Sequence, residues 1–260
     1  MFWTKMHAIL LIPTFIVIII AAWFIGYKLK DKDEKAKRLP LQIVTILLVV
    51  FELIKQIRGF VVGYDLYWIP LHFCSLFLFT LPFASFYNGK HKEIVDVITG
   101  VVGACLFMFM AIYPNIIYSE EYIVDAFKFI TFRGGNFVAF HSVAFHSIAL
   151  FAYFLFLFLN ICKFNTKRDL ISVVIFFLGY CVIVGTIAQL IDTNFNNFCR
   201  SNAPFLEDMR VNMISSMGFG GQIIYVLMIS VGTIIVPILA YFVFRLMSFI
   251  NRKYIIKTEK

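Results

Sequence analysis

From Trp68 to Leu78 the chain reads WIPLHFCSLFL, and the run from Leu66 to Tyr87 that contains it carries no Lys, Arg, Asp or Glu. About 20 uncharged, mostly apolar residues are enough for one helical crossing of a bilayer. His72, Cys74 and Ser75 lie inside this run, and polar groups at membrane depth are costly unless something nearby engages them. The stretch therefore predicts both a membrane bundle and partners for these three side chains on other segments.

Composition agrees. Of 260 residues, 61% are hydrophobic, 18% aromatic and only 15% charged, with 32 phenylalanines. A soluble domain of this length has too little interior to hide so much apolar side chain, so the class is an all-α polytopic membrane protein. Working outward from the third apolar segment, Leu66 to Tyr87, the others are His7 to Tyr27, Leu41 to Val62, Ile94 to Tyr113, Gly135 to Cys162, Leu170 to Ile191 and Gln222 to Ile250. They predict a bundle of seven transmembrane helices. His7 to Tyr27 reads as a span rather than a signal peptide, because no small-residue cleavage site follows it. No repeat or Gly/Ser/Pro-rich linker divides the chain, so residues 1–260 are expected to form one domain.

The net charge of +8 has to be placed before it is interpreted. Lys28, Lys30, Lys32, Lys35, Lys37 and Arg38 fall in one charged run, read as a solvated loop. Lys90, Lys92, Lys163, Lys167, Arg168, Arg245, Arg252, Lys253, Lys257 and Lys260 fall on the same side of an alternating bundle. The opposite side holds Lys5, Lys128, Arg133, Arg200 and Arg210. The positive-inside rule then puts the N-terminus outside and the C-terminus in the cytoplasm, in a multi-pass plasma-membrane protein. The basic balance is topology rather than nucleic-acid binding. Two external loops are long, Pro114 to Arg133 and 192–221, and the second, rich in asparagine and interrupted by Pro204, is expected to act as a lid.

Polar groups inside the segments supply the candidate chemistry. Glu52, Lys55 and Arg58 are spaced three apart, a stripe that drifts slowly around one side of a helix and should face the bundle. Glu52 and Lys55 either form an internal ion pair, or Glu52 orients a catalytic group while Lys55 or Arg58 meets a lipid phosphate. On a regular helix His72 and Cys74 point about 200° apart, so a base for Cys74 must come from another segment. The reactive form of cysteine is the thiolate, which needs such a base. Counting back about 20 residues from Lys163 puts the membrane surface near Ser142, with His146 inside and His141 at the interface. That depth favours His146 as partner of Cys74 and leaves His141 as the second candidate, for a leaving group or a head group. A zinc site of His72, Cys74, His141 and His146 is the rival chemistry, weakened by the absence of a tight ligand pair. No metal or other cofactor is expected. Cys105, Cys162 and Cys181 read as small apolar fillers, Gly100 and Ala104 as a close helix approach, and Tyr64, Tyr67 and Trp68 as an interfacial aromatic belt.

Several short motifs occur in a fixed order: Glu52, then LYWIPLHFCS at Leu66 to Ser75, AIYPN at Ala111 to Asn115, FHS at Phe145 to Ser147 and NFNNFC at Asn194 to Cys199, ahead of Pro204. In this the chain resembles the YwaF family of bacterial integral membrane proteins, which also includes animal transmembrane protein 164. The resemblance covers roughly residues 41–240, and PLHxCS is its most specific element; the sequence departs from it at Asn197, where the family has an aromatic residue. It implies a seven-helix membrane fold and, from the animal branch, a cysteine-dependent acyltransferase acting on phospholipids. Cys74 matches the expected nucleophile and a histidine of the fifth segment the expected base. Glu52, His141 and His146 complete the catalytic candidates, and His72, Lys55, Arg58, Ser75, Asn194 and Asn196 are the candidates for substrate binding. Membrane phospholipids are the expected partners, with no nucleic acid. A hydrolase using the same site is the first alternative. A non-catalytic lipid- or solute-binding protein or transporter is the second, weakened by the lack of an evident inverted repeat.

Overall fold

The computed structural model describes residues 3–256 apart from Tyr118 and Asn202, so Lys257 and Lys260 of the basic tail lie outside the described residues. The helices are α1 (Lys5–Leu29), α2 (Glu34–Val62), α3 (Leu76–Phe86), α4 (Lys92–Ile112), α5 (Glu120–Ile130), α6 (Phe137–Phe158), α7 (Thr166–Leu190), α8 (Pro204–Met217) and α9 (Phe219–Ile250). Local sequence sets many of the starts: the side chains of Thr4, Asp33, Ser119, Asn136 and Asn165 accept from backbone N–H groups that the first turn leaves without a helical partner. Six helices, α1, α2, α4, α6, α7 and α9, are long and apolar enough to cross a membrane, and Phe73–Phe86 is a shorter apolar helix. The expected seven full spans are thus six and a half-length one.

The most buried helices, α4 and α6, form the centre. Helix α6 packs on α1, α2, α4 and α5, and α4 packs on α3, α6, α7 and α9. Glycines permit the closest approaches. A Cβ on Gly103 would stand 2.6 Å from the Tyr153 ring, and one on Gly100 would stand 2.2 Å from Phe244, so the partner of Gly100 is an aromatic ring of α9.

Four sequence expectations are corrected. The charged run Lys28 to Arg38 is not a loop: only residues 30–33 lie outside α1 and α2. The span Pro114 to Arg133 contains α5, and 192–221 contains α8. Ahead of α8, Asp192 to Ser201 packs inward with Phe195, Phe198 and Cys199 buried. Asp192, Asn196 and Asn197 there have φ of 50°, 50° and 62°, a left-handed region that Asn and Asp tolerate better than most residues.

The fourth correction concerns the opening stretch. Gly63, at φ 105°, ends α2; Leu66–Trp68 makes one 3-10 turn; and Ile69 is extended at φ −57°, ψ 130°. Pro70 is the cause, since its ring disfavours helical backbone at the residue before it. A second 3-10 turn, Phe73–Ser75, then runs into α3. His72 is the cap of that turn and Cys74 lies on it, so the 200° separation of a regular helix does not apply. Irregular backbone at membrane depth is tolerated only where protein or water satisfies its polar groups. Here side chains do so: Gln56 donates to Trp68 O at 2.8 Å, Tyr180 to Leu71 O at 3.0 Å, and His72 Nε2 to Tyr67 O at 2.9 Å.

At the other end of the bundle, helix ends are clasped by charge. Arg38 of α2 forks onto Asp96 of α4 at 3.0 and 2.6 Å, and also donates to Ala84 O of α3 at 2.5 Å. Arg168 of α7 meets Glu93 of α4 at 2.5 Å, and Tyr241 of α9 donates to Asp169 of α7 at 3.3 Å.

Candidate active site

Helix α2 brings a carboxylate to the end of the bundle away from that clasp. Glu52 is buried, and its Oε1 accepts from Lys55 Nζ at 2.7 Å and from Gln56 Nε2 at 2.7 Å. The drift of the three-residue spacing carries Arg58 out of the bundle: it is exposed and lies over the Phe137 ring at 4.6 Å. The expectation that all three charges face inward is therefore corrected at Arg58.

Helix α6 adds two histidines. His141 is 3% exposed and stacks on Phe51 at 4.6 Å between centroids. Its Nε2 stands 3.4 Å from Glu52 Oε2 without meeting hydrogen-bond geometry. His146, also buried, has Nδ1 at 2.6 Å from Ser142 O. A carbonyl oxygen only accepts, so Nδ1 carries the hydrogen and Nε2 is the acceptor nitrogen of the neutral ring. A general base requires that tautomer.

Cys74 faces this group from the irregular segment. It is half-buried beside the buried Ser75, and Lys55 and Glu52 lie within electrostatic range. His72 is within the same range of Lys55, Glu52 and His146. Its ring is held edge-on between Tyr67 and Phe195, at 4.3 and 5.2 Å.

The fold thus brings Glu52, Lys55 and His141 together, places His72, Cys74 and Ser75 on the irregular segment and His146 one turn further along α6, and leaves Arg58 on the surface. Asn196 donates to Thr233 Oγ1 of α9 at 2.9 Å, an anchoring contact for its loop. Asn194 is half-buried with its Oδ1 lacking a hydrogen-bond partner among the described residues. Among those residues no three His, Cys, Asp or Glu side chains come together as a metal site. Sequence reasoning missed Gln56 and Tyr180, which brace the irregular segment; the one available signal was Gln56 at one helical turn from Glu52.

Apolar helices packed around a buried polar cluster define a polytopic membrane protein. The TMEM164 family model matches residues 2–243, and the chain belongs to that family. Neither the curated proteins nor the solved structures contain a match.

Proposed function

We propose that the protein is a cysteine-dependent acyltransferase that moves an acyl chain between phospholipids of the plasma membrane. The observation that carries this is a half-buried thiol on the turn that leads into an apolar helix, in a bundle that also buries Glu52, held by Lys55 at 2.7 Å and 3.4 Å from His141 Nε2, and His146, whose Nδ1 faces Ser142 O. Cys74 passes its proton to His146 Nε2 and its sulfur attacks the ester carbonyl of a donor lipid. The ester C–O bond breaks, the departing lysolipid oxygen takes the proton from His146, and a thioester remains. An acceptor lipid hydroxyl then gives its proton to His146 and attacks the thioester, releasing Cys74. Water in place of that hydroxyl makes the same site a hydrolase. Glu52 and His141 hold the charge balance beside the thiol, and Lys55 meets lipid phosphate on its entry. Asn194, Ser75 and His72 line the approach. The N-terminus lies outside and the C-terminus in the cytoplasm, following the excess of basic residues at the clasped end.

The test is turnover of labelled phospholipid by the purified chain beside Cys74→Ala and His146→Ala. Wild type is expected to form an acyl thioester at Cys74. Cys74→Ala abolishes turnover, and His146→Ala lowers it by about 10²–10⁴-fold, as loss of a general base does. Lipid binding that persists in both variants, with no thioester in wild type, overturns catalysis in favour of a lipid- or solute-binding protein.

A further inference from the structure

We infer that Gln56 is a positioning residue that ties the carboxylate of Glu52 to the irregular segment carrying Cys74. The inference rests on the proposed role of Cys74, yet its geometry stands apart from it. One amide nitrogen makes both links: Gln56 Nε2 donates to Glu52 Oε1 at 2.7 Å and to Trp68 O at 2.8 Å. The amide oxygen accepts from the hydroxyl of Tyr64, which lies past the end of α2. Among the standard side chains only an amide offers two donors on one nitrogen together with an acceptor. Each contact lies on a different piece of structure. Glu52 is inside α2, Tyr64 follows Gly63 where that helix stops, and Trp68 closes the turn ahead of Ile69 and Pro70.

The placement matters because the segment has little regular structure of its own. Between Gly63 and Phe73 the regular structure is one 3-10 turn, supplemented by local bonds from Leu71 N–H to Ile69 O and from His72 to Tyr67 O, and Pro70 has no N–H to give. Its position relative to α2 therefore depends on side chains that reach it. Tyr180 holds Leu71 O from α7, and Gln56 holds Trp68 O from α2. Gln56 alone also grips Glu52, one of the two charges within range of the Cys74 thiol. The same amide thus fixes where the segment sits and where the negative charge next to it points. Loss of the amide unties the segment from α2 and leaves Glu52 held by Lys55 alone.

Site-resolved alkylation of Cys74 in the full chain, read by mass spectrometry across pH, tests this without requiring turnover. Charged and titratable groups around the thiol are Glu52, Lys55, Tyr67 and Tyr180, with His72 two residues away and His146 the proposed base, and Gln56→Leu leaves all of them in place. The expected result for Gln56→Leu is an alkylation rate at neutral pH changed several-fold and a midpoint displaced by about half a pH unit or more, because a carboxylate left to Lys55 alone and a segment no longer tied to it change the field at the thiol. Tyr64→Phe removes only the contact to the amide oxygen and is expected to give a smaller displacement in the same direction. A purely structural role lowers the melting temperature and leaves the midpoint where it is.

A folded Gln56→Leu with the wild-type rate and midpoint overturns the inference. If that variant does not fold, Tyr64→Phe decides alone, and an unchanged midpoint there overturns it equally. The two readings fail separately. Displaced alkylation in a chain that turns over no lipid sustains the positioning role and removes the enzyme; lipid turnover with unmoved alkylation does the reverse.

Discussion

Arg38 and Asp96 show what a single buried pair contributes. Both are almost wholly enclosed, and the guanidinium spans a carboxylate on α4, a carbonyl on α3 and Glu34 on its own helix. Removing one partner leaves an uncompensated buried charge, which costs about 3–5 kcal/mol, whereas replacing both by apolar residues of similar volume is often close to neutral. Arg38→Met and Asp96→Leu are each expected to lower the melting temperature sharply, and the double variant to recover much of the loss; additive losses would show that the pair itself is not the cause. In the sequence this pair was invisible, because Arg38 stands in a run of charges that reads as topology and its partner is 58 residues away. Glu52, Cys74 and the two histidines of α6 were legible for the opposite reason, as polar groups stranded in apolar runs. The packing of His141 against Phe51 and Glu52 was not legible, because a count from Lys163 reports depth along the helix and not which neighbour the ring meets.

Among the elements, the long spans were readable because apolar length alone determines them. The short ones were not: the break at Pro70 and the helix α8 depend on backbone preferences and on anchoring contacts that length does not report. Helix α8 has no fully buried residue, so polar contacts at its start carry much of its placement. Glu207 accepts from Ser201 N–H at 2.8 Å and pairs with Arg210 at 2.5 Å. The bond from Arg210, helped by the Ser201 N–H, depresses its pKa from 4.5 to about 2. A depressed carboxylate contributes stability that is present above the unfolded value and is lost as pH falls through the folded one. Protection of the α8 amides from hydrogen exchange, corrected for the intrinsic rate, is therefore expected to hold down to about pH 4.5 and to fall toward pH 2. Glu207→Gln is expected to show the weaker protection already at neutral pH, by up to about 1 kcal/mol for a partly exposed pair. Equal protection in variant and wild type across that range would assign the anchoring of α8 to its packing on α9.

For the whole molecule, the two ends of the bundle differ in kind. One is closed by the Arg38–Asp96, Glu93–Arg168 and Tyr241–Asp169 contacts, which lock α2, α3, α4, α7 and α9 together. The other holds the irregular segment, the inward-packed loop and Cys74. The basic residues gather at the clasped end, and the positive-inside rule predicts that end to be cytoplasmic. Cysteines placed at exposed positions decide the matter in a Cys74→Ser background: Lys32 lies in the turn between α1 and α2, and Phe132, 96% exposed, follows α5. A membrane-impermeant maleimide is expected to label Phe132→Cys on intact cells and Lys32→Cys only after permeabilisation. The reverse pattern would turn the chain over and make the inner leaflet the source of lipid for Cys74. Labelling from one side only is expected at each position, because an odd number of crossings between Lys32 and Phe132 requires Phe73–Phe86, with the segment before it, to complete a passage between α2 and α4. If both positions label on intact cells, that short helix is instead a re-entrant turn, and Cys74 lies at the bottom of a pocket open to one face.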